Sequence, residues 1–348
     1  MSPALRTADF DYDLPPELIA QTPTAERGAS RLLVLRRDAD GGALEDRMFA
    51  DLADLVPPGD LVVLNDTRVR HARLLGMRPS GAPAEVLLIH PAPDGSWIAM
   101  GRPGSALRPG KRIHLGPGAD IETLEVLDEG YRRVAFVGLS ADEAMRRYGR
   151  LPLPPYITHD PTSVDEERYQ TVYARVEGSV AAPTAGLHVT PALLSALDAK
   201  GVWVARLTLE VGPGTFRPVE TDVVTEHPMH PERYEIPRLL AEQIGAARAR
   251  GGRVWAVGTT VVRALESAAA GSPDGTVRAG GGETRLMIVP GHRFRAVDRL
   301  VTNFHLPRST LLMLASAFAG VETTRAAYRH AVAQRYRFYS YGDAMAIL

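Results

Sequence analysis

Five stretches of the chain repeat one build: a short apolar run suited to a buried strand, then a loop rich in Gly, Thr, Asn or His. In most of them a helix-like segment follows. They are Leu61–Val69 (LVVLNDTRV), Ala181–Leu194 (AAPTAGLHVTPALL), Leu207–Val219 (LTLEVGPGTFRPV), Val254–Ser267 (VWAVGTTVVRALES) and Leu300–Leu314 (LVTNFHLPRSTLLML). This alternation predicts an α/β fold with an open sheet. In such a sheet the loops leaving the carboxyl ends of the strands gather on one edge, where ligands bind. Five loops carrying hydroxyl, amide and imidazole groups predict one polar pocket there, and so an enzyme.

Composition narrows the chemistry. The chain has 348 residues, 45% hydrophobic and 23% charged, enough for one large or two moderate domains. Cysteine is absent. That excludes disulfides, cysteine nucleophiles, thiolate zinc sites and cysteine-held iron–sulfur clusters. No apolar run is long enough for a membrane span. The N-terminus carries Asp9, Asp11, Asp13 and Glu17 and is broken by Pro15 and Pro16, unlike a secretion signal. A cytoplasmic monomer is expected.

The formal net charge is −1. Between Arg285 and Arg337, however, nine arginines face only Asp298 and Glu322, among them Arg293, Arg295, Arg299, Arg308 and Arg337. Clustered arginine suits a phosphate backbone; it also suits a solvated face.

The texture changes along the chain. Arg31–Arg37 and Leu61–Leu64 read as buried strands, with helical spacing over Glu45–Leu55 between them. Short strands at Ala84–His90, Ser96–Gly101, Lys111–Leu115, Ile121–Leu127 and Arg132–Leu139, separated by Gly and Pro turns, predict a small barrel or sandwich. Ser140 caps a helix to Tyr148, and the proline linker Leu151–Ile157 returns the chain to α/β texture. The reading is a discontinuous α/β domain over 1–73 and 154–348, with a β-barrel inserted over 74–153. Thr190 caps a helix opened by Pro191, Pro307 is expected to open Arg308–Phe318, and Thr259 and Thr260 precede Val261–Ala270. Such helix starts favour carboxylate or phosphate.

Among the chemistry candidates, Glu210–Phe216 (EVGPGTF) resembles a methyltransferase glycine loop only weakly, because Phe216 sits where a glycine belongs. His227 and His230 are three residues apart, but Pro228 and Pro231 argue against one helical face and no third metal ligand is evident. His188 lies at the expected ligand edge, where a structural role is the alternative. Asp66 with Arg68 reads as a turn-stabilising pair. No P-loop, nucleophile-elbow serine or zinc-protease motif is present. The aromatic tail Tyr336–Met345 either stacks on bases or docks on the core.

Longer motifs carry a resemblance. FDYDLPPELIAQTP, NDTRV, LPLPPYI, RYQTVYA, VAAPTAGLH, VGPGTFRPV, HPMHPERYEIP, VTNFHLP and YRFYSYGDAM, spread nearly end to end, are similar to the S-adenosylmethionine:tRNA ribosyltransferase-isomerases of queuosine biosynthesis. The resemblance implies an α/β domain with an inserted barrel. It implies transfer and isomerisation of the ribosyl part of S-adenosylmethionine onto 7-aminomethyl-7-deazaguanine at the tRNA wobble position. Epoxyqueuosine-tRNA, adenine and methionine are the products, and no metal or redox cofactor takes part. Partners are then S-adenosylmethionine and the tRNA anticodon stem-loop. His188 and His230 are the expected acid/base pair. Asn65, Thr67, Arg68, Thr184, Gly186, Glu210, Gly212, Gly214, Thr215, Phe216, His227, Thr259, Thr260, Arg263, Asn303 and His305 are the expected substrate contacts. The methionine carboxylate is expected at Thr259–Thr260, helped by Arg263. The chain departs from the family pattern at Glu210 (usually His), at Val261, at Arg70 and His71, at Ser179 and at Val189. The alternatives are a relative with a small-molecule acceptor and a non-catalytic RNA-binding module.

Overall fold

The computed structural model describes residues 5–37, 43–216 and 219–348. Its main body is a nine-stranded sheet. The order is Gly280–Thr284, Glu232–Ile236, Trp203–Leu209, Leu61–Asn65, Val254–Val257, Arg299–Asn303, Ala344–Ile347, Arg31–Arg36 and Ala43–Met48. The four strands at its centre run parallel to their neighbours: Trp203–Leu209 with Leu61–Asn65, Leu61–Asn65 with Val254–Val257, and Val254–Val257 with Arg299–Asn303. Their carboxyl ends therefore share one edge. The apolar runs have this central place because both faces are covered. Leu33, Leu35, Leu61 and Val63 pack on one side with the helices Arg238–Ala249, Thr259–Ala268, Thr310–Ala319 and Val321–Ala333. Their odd-even partners Leu32, Val34, Val62 and Leu64 pack on the other with Leu52–Leu55 and Pro191–Ala199. The period of two along each strand sends alternate side chains to opposite cores.

Residues 73–150 form a seven-stranded antiparallel sheet with a core of its own, including Leu74, Val86, Leu88, Trp97, Ile113, Ile121 and Val134. Its order is Gly149–Arg150, Arg73–Met77, Pro83–Pro91, Trp97–Arg102, Arg132–Val137, Ala119–Val126 and Arg112–Gly116. A single pairing, Met77 with His114, joins Arg73–Met77 to Arg112–Gly116.

Several expectations need correction. Glu45–Leu55 is not a helix: Ala43–Met48 is an edge strand, and only Leu52–Leu55 is α-helical. Alternating polar side chains on a sheet edge override the helical spacing. Ala181–Leu194 contributes no strand to the large sheet, since Val176–Ser179 pairs only with Thr67–Val69 and is followed by a 3-10 turn over Thr184–His188. Pro307 does not open the last expected helix. Ser309 caps Thr310–Ala319, its Oγ accepting from the Leu312 N–H at 3.2 Å, and Arg308 before it has φ of 57°. The caps at Ser140 and Thr190 form as expected. The tail docks: Tyr336, Phe338, Tyr339 and Tyr341 are buried.

Candidate functional site

The carboxyl edge of the central strands holds a cleft. Thr184, Thr259, Thr260, Asn303 and His305 line it, together with Tyr156, Pro183, Val211, Gly258, Thr302, Ser309, Tyr339 and Ser340. Strand Val254–Val257 ends at Gly258, whose φ of 98° turns the chain directly into helix Thr259–Ala268. That conformation costs glycine little. The Val261 and Val262 N–H groups bond back to the Gly258 carbonyl. Those of Thr259 and Thr260 make no backbone hydrogen bond among the described residues. Two free donors and the positive end of the helix dipole therefore sit on the cleft wall, a setting for an anion. Thr259 and Thr260 are the first helical residues rather than the residues before the helix.

Asn65, fully buried, stands behind Thr260. Its amide nitrogen donates to the Leu209 carbonyl at 3.0 Å and to Thr260 Oγ1 at 3.3 Å, and its Oδ1 accepts from Thr67 N–H and Leu209 N–H. Thr67 Oγ1 meets Ser179 Oγ at 2.6 Å, and Ser179 Oγ accepts from Val211 N–H. These residues brace the edge instead of opening onto it. Asp66 does not pair with Arg68. It takes Arg175 at 2.9 Å and Thr208 Oγ1 at 2.7 Å, while Arg68 points to solvent.

His188 lies one layer back. Asn303 donates its amide N–H to the Tyr339 carbonyl at 2.9 Å, and the same nitrogen lies 3.1 Å from His188 Nε2. An amide nitrogen only donates, so Nε2 is the bare nitrogen and Nδ1–H donates to Ser30 Oγ at 2.7 Å. The ring stacks on Phe49 at 4.8 Å. Burial pushes its pKa down to about 4, so it is neutral near pH 7. His305, on the cleft wall, contacts Thr302 Oγ1 through Nε2 at 2.7 Å and is pushed down to about 3 by burial. His230 is elsewhere. It pairs with Glu129 of the insert at 2.8 Å, meets Tyr131 Oη at 3.1 Å and presses against Gly214. No contact among the described residues joins His188 to His230, and neither lines the cleft. Tertiary packing thus does not bring the two imidazoles of the expected acid/base pair together.

Arg263 is engaged through Nη1 and Nε, while its Nη2 has no hydrogen-bond partner among the described residues. Buried, it pairs with Glu232 at 2.5 Å and donates Nε–H to the Leu286 carbonyl. Glu232 Oε1 lies 3.5 Å from Gly212 N–H, so the pair ties the Gly212–Gly214 turn to the helix. Gly186 is required by packing, since a Cβ there would lie 2.0 Å from Tyr173 Oη. Glu210 is half-buried beside Gly178, and its carboxylate has no partner among the described residues. His227 is half-buried, and burial with the nearby His230 lowers its pKa. The side chains of Thr215 and Phe216 lie outside the described part. Among the described residues no group of three or more His, Asp or Glu could hold a metal ion.

The arginine-rich stretch is largely engaged. Arg308 pairs with Asp11, Arg337 donates to the Thr22 carbonyl, Arg295 to Ser272 and Arg299 to Asp298. Arg293 is exposed. Sequence reasoning missed Tyr156, Thr302, Ser309, Tyr339 and Ser340 as wall residues. The signal available for Tyr339 and Ser340 was the tail motif itself, and for Ser309 its capping position.

Residues 7–347 match the model of the family described as queuosine biosynthesis protein. The chain is 57% identical over 345 residues to the S-adenosylmethionine:tRNA ribosyltransferase-isomerase of Ralstonia nicotianae, spanning 98% of this chain and 95% of that protein. It is 55% identical over 343 residues to the enzyme of the same name from Thiobacillus denitrificans, spanning 98% and 97%. A crystal structure of S-adenosylmethionine tRNA ribosyltransferase from Thermotoga maritima aligns with a TM-score of 0.56 at 37% identity, over 98% of this chain and 100% of that one.

Proposed function

Because the chain belongs to the queuosine biosynthesis protein family, we propose that it is an S-adenosylmethionine:tRNA ribosyltransferase-isomerase. It transfers and isomerises the ribosyl part of S-adenosylmethionine onto 7-aminomethyl-7-deazaguanine at the tRNA wobble position. Epoxyqueuosine-tRNA, adenine and methionine result, without a metal or redox cofactor. The observation that carries this reading is the cleft at the carboxyl edge, where Thr184, Thr259, Thr260, Asn303 and His305 come together around a helix start.

The methionine carboxylate sits on the free N–H groups of Thr259 and Thr260. The Arg263–Glu232 pair holds that helix and the Gly212 turn in register, so Arg263 positions rather than binds. The sulfonium acidifies the adjacent 5′-carbon, and an unprotonated group must take that proton. His305 on the wall and Glu210, which adjoins the wall residue Val211 and has no side-chain partner among the described residues, are the candidate groups. Loss of kcat in His305→Gln or Glu210→Gln identifies which one acts. The anticodon stem-loop binds across the face that includes Arg293. The insert over 74–153 is a barrel domain carried by the α/β domain of 1–73 and 154–348, which the Met77–His114 pairing and the separate core support. The protein acts as a cytoplasmic monomer.

The test is incubation with S-adenosylmethionine and tRNA bearing 7-aminomethyl-7-deazaguanine, with small products followed by mass. Adenine and methionine should form together in amounts matching the modified tRNA. Formation of S-adenosylhomocysteine, or no consumption despite tRNA binding, refutes it.

A further inference from the structure

Asn303 ends strand Arg299–Asn303, lines the cleft and is almost fully buried. Its amide orientation is set on one side only. The nitrogen faces the Tyr339 carbonyl at 2.9 Å, which only accepts, and His188 Nε2 at 3.1 Å. Its carbonyl oxygen has no hydrogen-bond partner among the described residues. A buried amide oxygen left unpaired is costly, and its natural complement is a donor supplied by a ligand. The same cleft presents the free N–H groups of Thr259 and Thr260 at the start of a ten-residue helix. One wall thus offers donors for an anion, and another residue of the cleft offers an acceptor for a cationic donor.

We propose that the cleft reads a zwitterionic α-amino acid end, with the carboxylate on Thr259 and Thr260 and the α-ammonium on Asn303 Oδ1. The inference rests on the reading of this cleft as the S-adenosylmethionine site and deepens it. His188 is then a positioning residue. By taking the Asn303 amide proton on Nε2, with Nδ1–H anchored on Ser30, it keeps the oxygen of Asn303 turned to the ligand. The pairing also gives a reason for a neutral histidine there: a doubly protonated ring would confront the amide nitrogen with a second donor.

The experiment is a calorimetric binding series on the full chain, using S-adenosylmethionine, its desamino analogue and its decarboxylated analogue. A hydrogen bond from a charged donor is worth roughly 10- to 100-fold in affinity. The wild type should bind the desamino analogue weaker by about that factor. Asn303→Ala should bind S-adenosylmethionine and the desamino analogue alike, yet still reject the decarboxylated one. Equal binding of the first two ligands by the wild type overturns the proposal, and so does undiminished discrimination in Asn303→Ala. If that variant does not fold, the wild-type ratio alone decides. Discrimination by the wild type without release of adenine and methionine in the presence of tRNA would leave this inference standing and remove the proposed reaction.

Discussion

Acid should destabilise this protein through two imidazoles in particular. His188 and His305 are buried, with pKa values lowered by that burial from the ordinary 6.5 to about 4 and about 3. Below pH 6.5 the unfolded chain takes up a proton at each of these sites, whereas the folded chain does not until much lower pH. The unfolded state therefore binds more protons in this window, and stability falls as pH falls. At pH 5 each imidazole contributes a loss of about 2 kcal/mol, about 4 kcal/mol for the pair. The figure depends little on the folded-state values so long as they stay below 5. Against a typical total of about 5–15 kcal/mol, the loss is large. His159 acts in the opposite sense, because backbone hydrogen bonds to Asp160 and Gln21 raise its pKa, and His227 acts in the same sense as the buried pair. Variants isolate the contribution. Urea unfolding of the wild type, His188→Gln and His305→Gln is measured at pH 7 and pH 5. Each variant should lose about 2 kcal/mol less than the wild type between the two pH values, whatever its stability at pH 7. Equal losses in all three proteins would refute the burial argument.

Other consequences are testable in the same way. Arg263→Met should cost about 3–5 kcal/mol in denaturant unfolding by leaving Glu232 charged and unpaired, and adding Glu232→Leu should recover most of it. Gly186→Ala should cost about 1–3 kcal/mol, because its Cβ meets the Tyr173 hydroxyl, and a thermal melt of the double variant with Tyr173→Phe should show partial recovery. Glu129→Gln should raise KM for tRNA and leave binding of S-adenosylmethionine unchanged, since it loosens the insert from His230 and the Gly214 turn. A fall in kcat alone would instead give His230 a chemical role.

Much of this molecule was legible from local pattern. The runs LVVLN and VWAV are apolar on both sides of the strand, and such runs can only sit where both sheet faces are covered, so a central α/β sheet with ligand loops on one edge followed. Ser140 and Thr190 announced their helices because a capping hydroxyl acts within three residues. The regular turns of the insert likewise announced short strands. Glu45–Leu55 misled because edge pairing, a contact with distant residues 31–36, outweighed local spacing. The motif resemblance identified the family, which the comparisons bear out.

What the amino-acid order determined alone is the set of elements, the chemistry excluded by the lack of cysteine, and the loops that meet at the edge. Only the tertiary structure decided which polar groups remain free. The sequence offered Arg263 as an anion ligand and His188 as a base, and only the fold set Glu232 against the first and Ser30 and Asn303 on the two nitrogens of the second. Asn303 looked like one of several amides until its nitrogen was accounted for and its oxygen, among the described residues, was not. The partners of these three side chains lie tens to more than a hundred residues away. Whether a side chain is engaged or available is therefore a property of three-dimensional proximity, which no local spacing encodes.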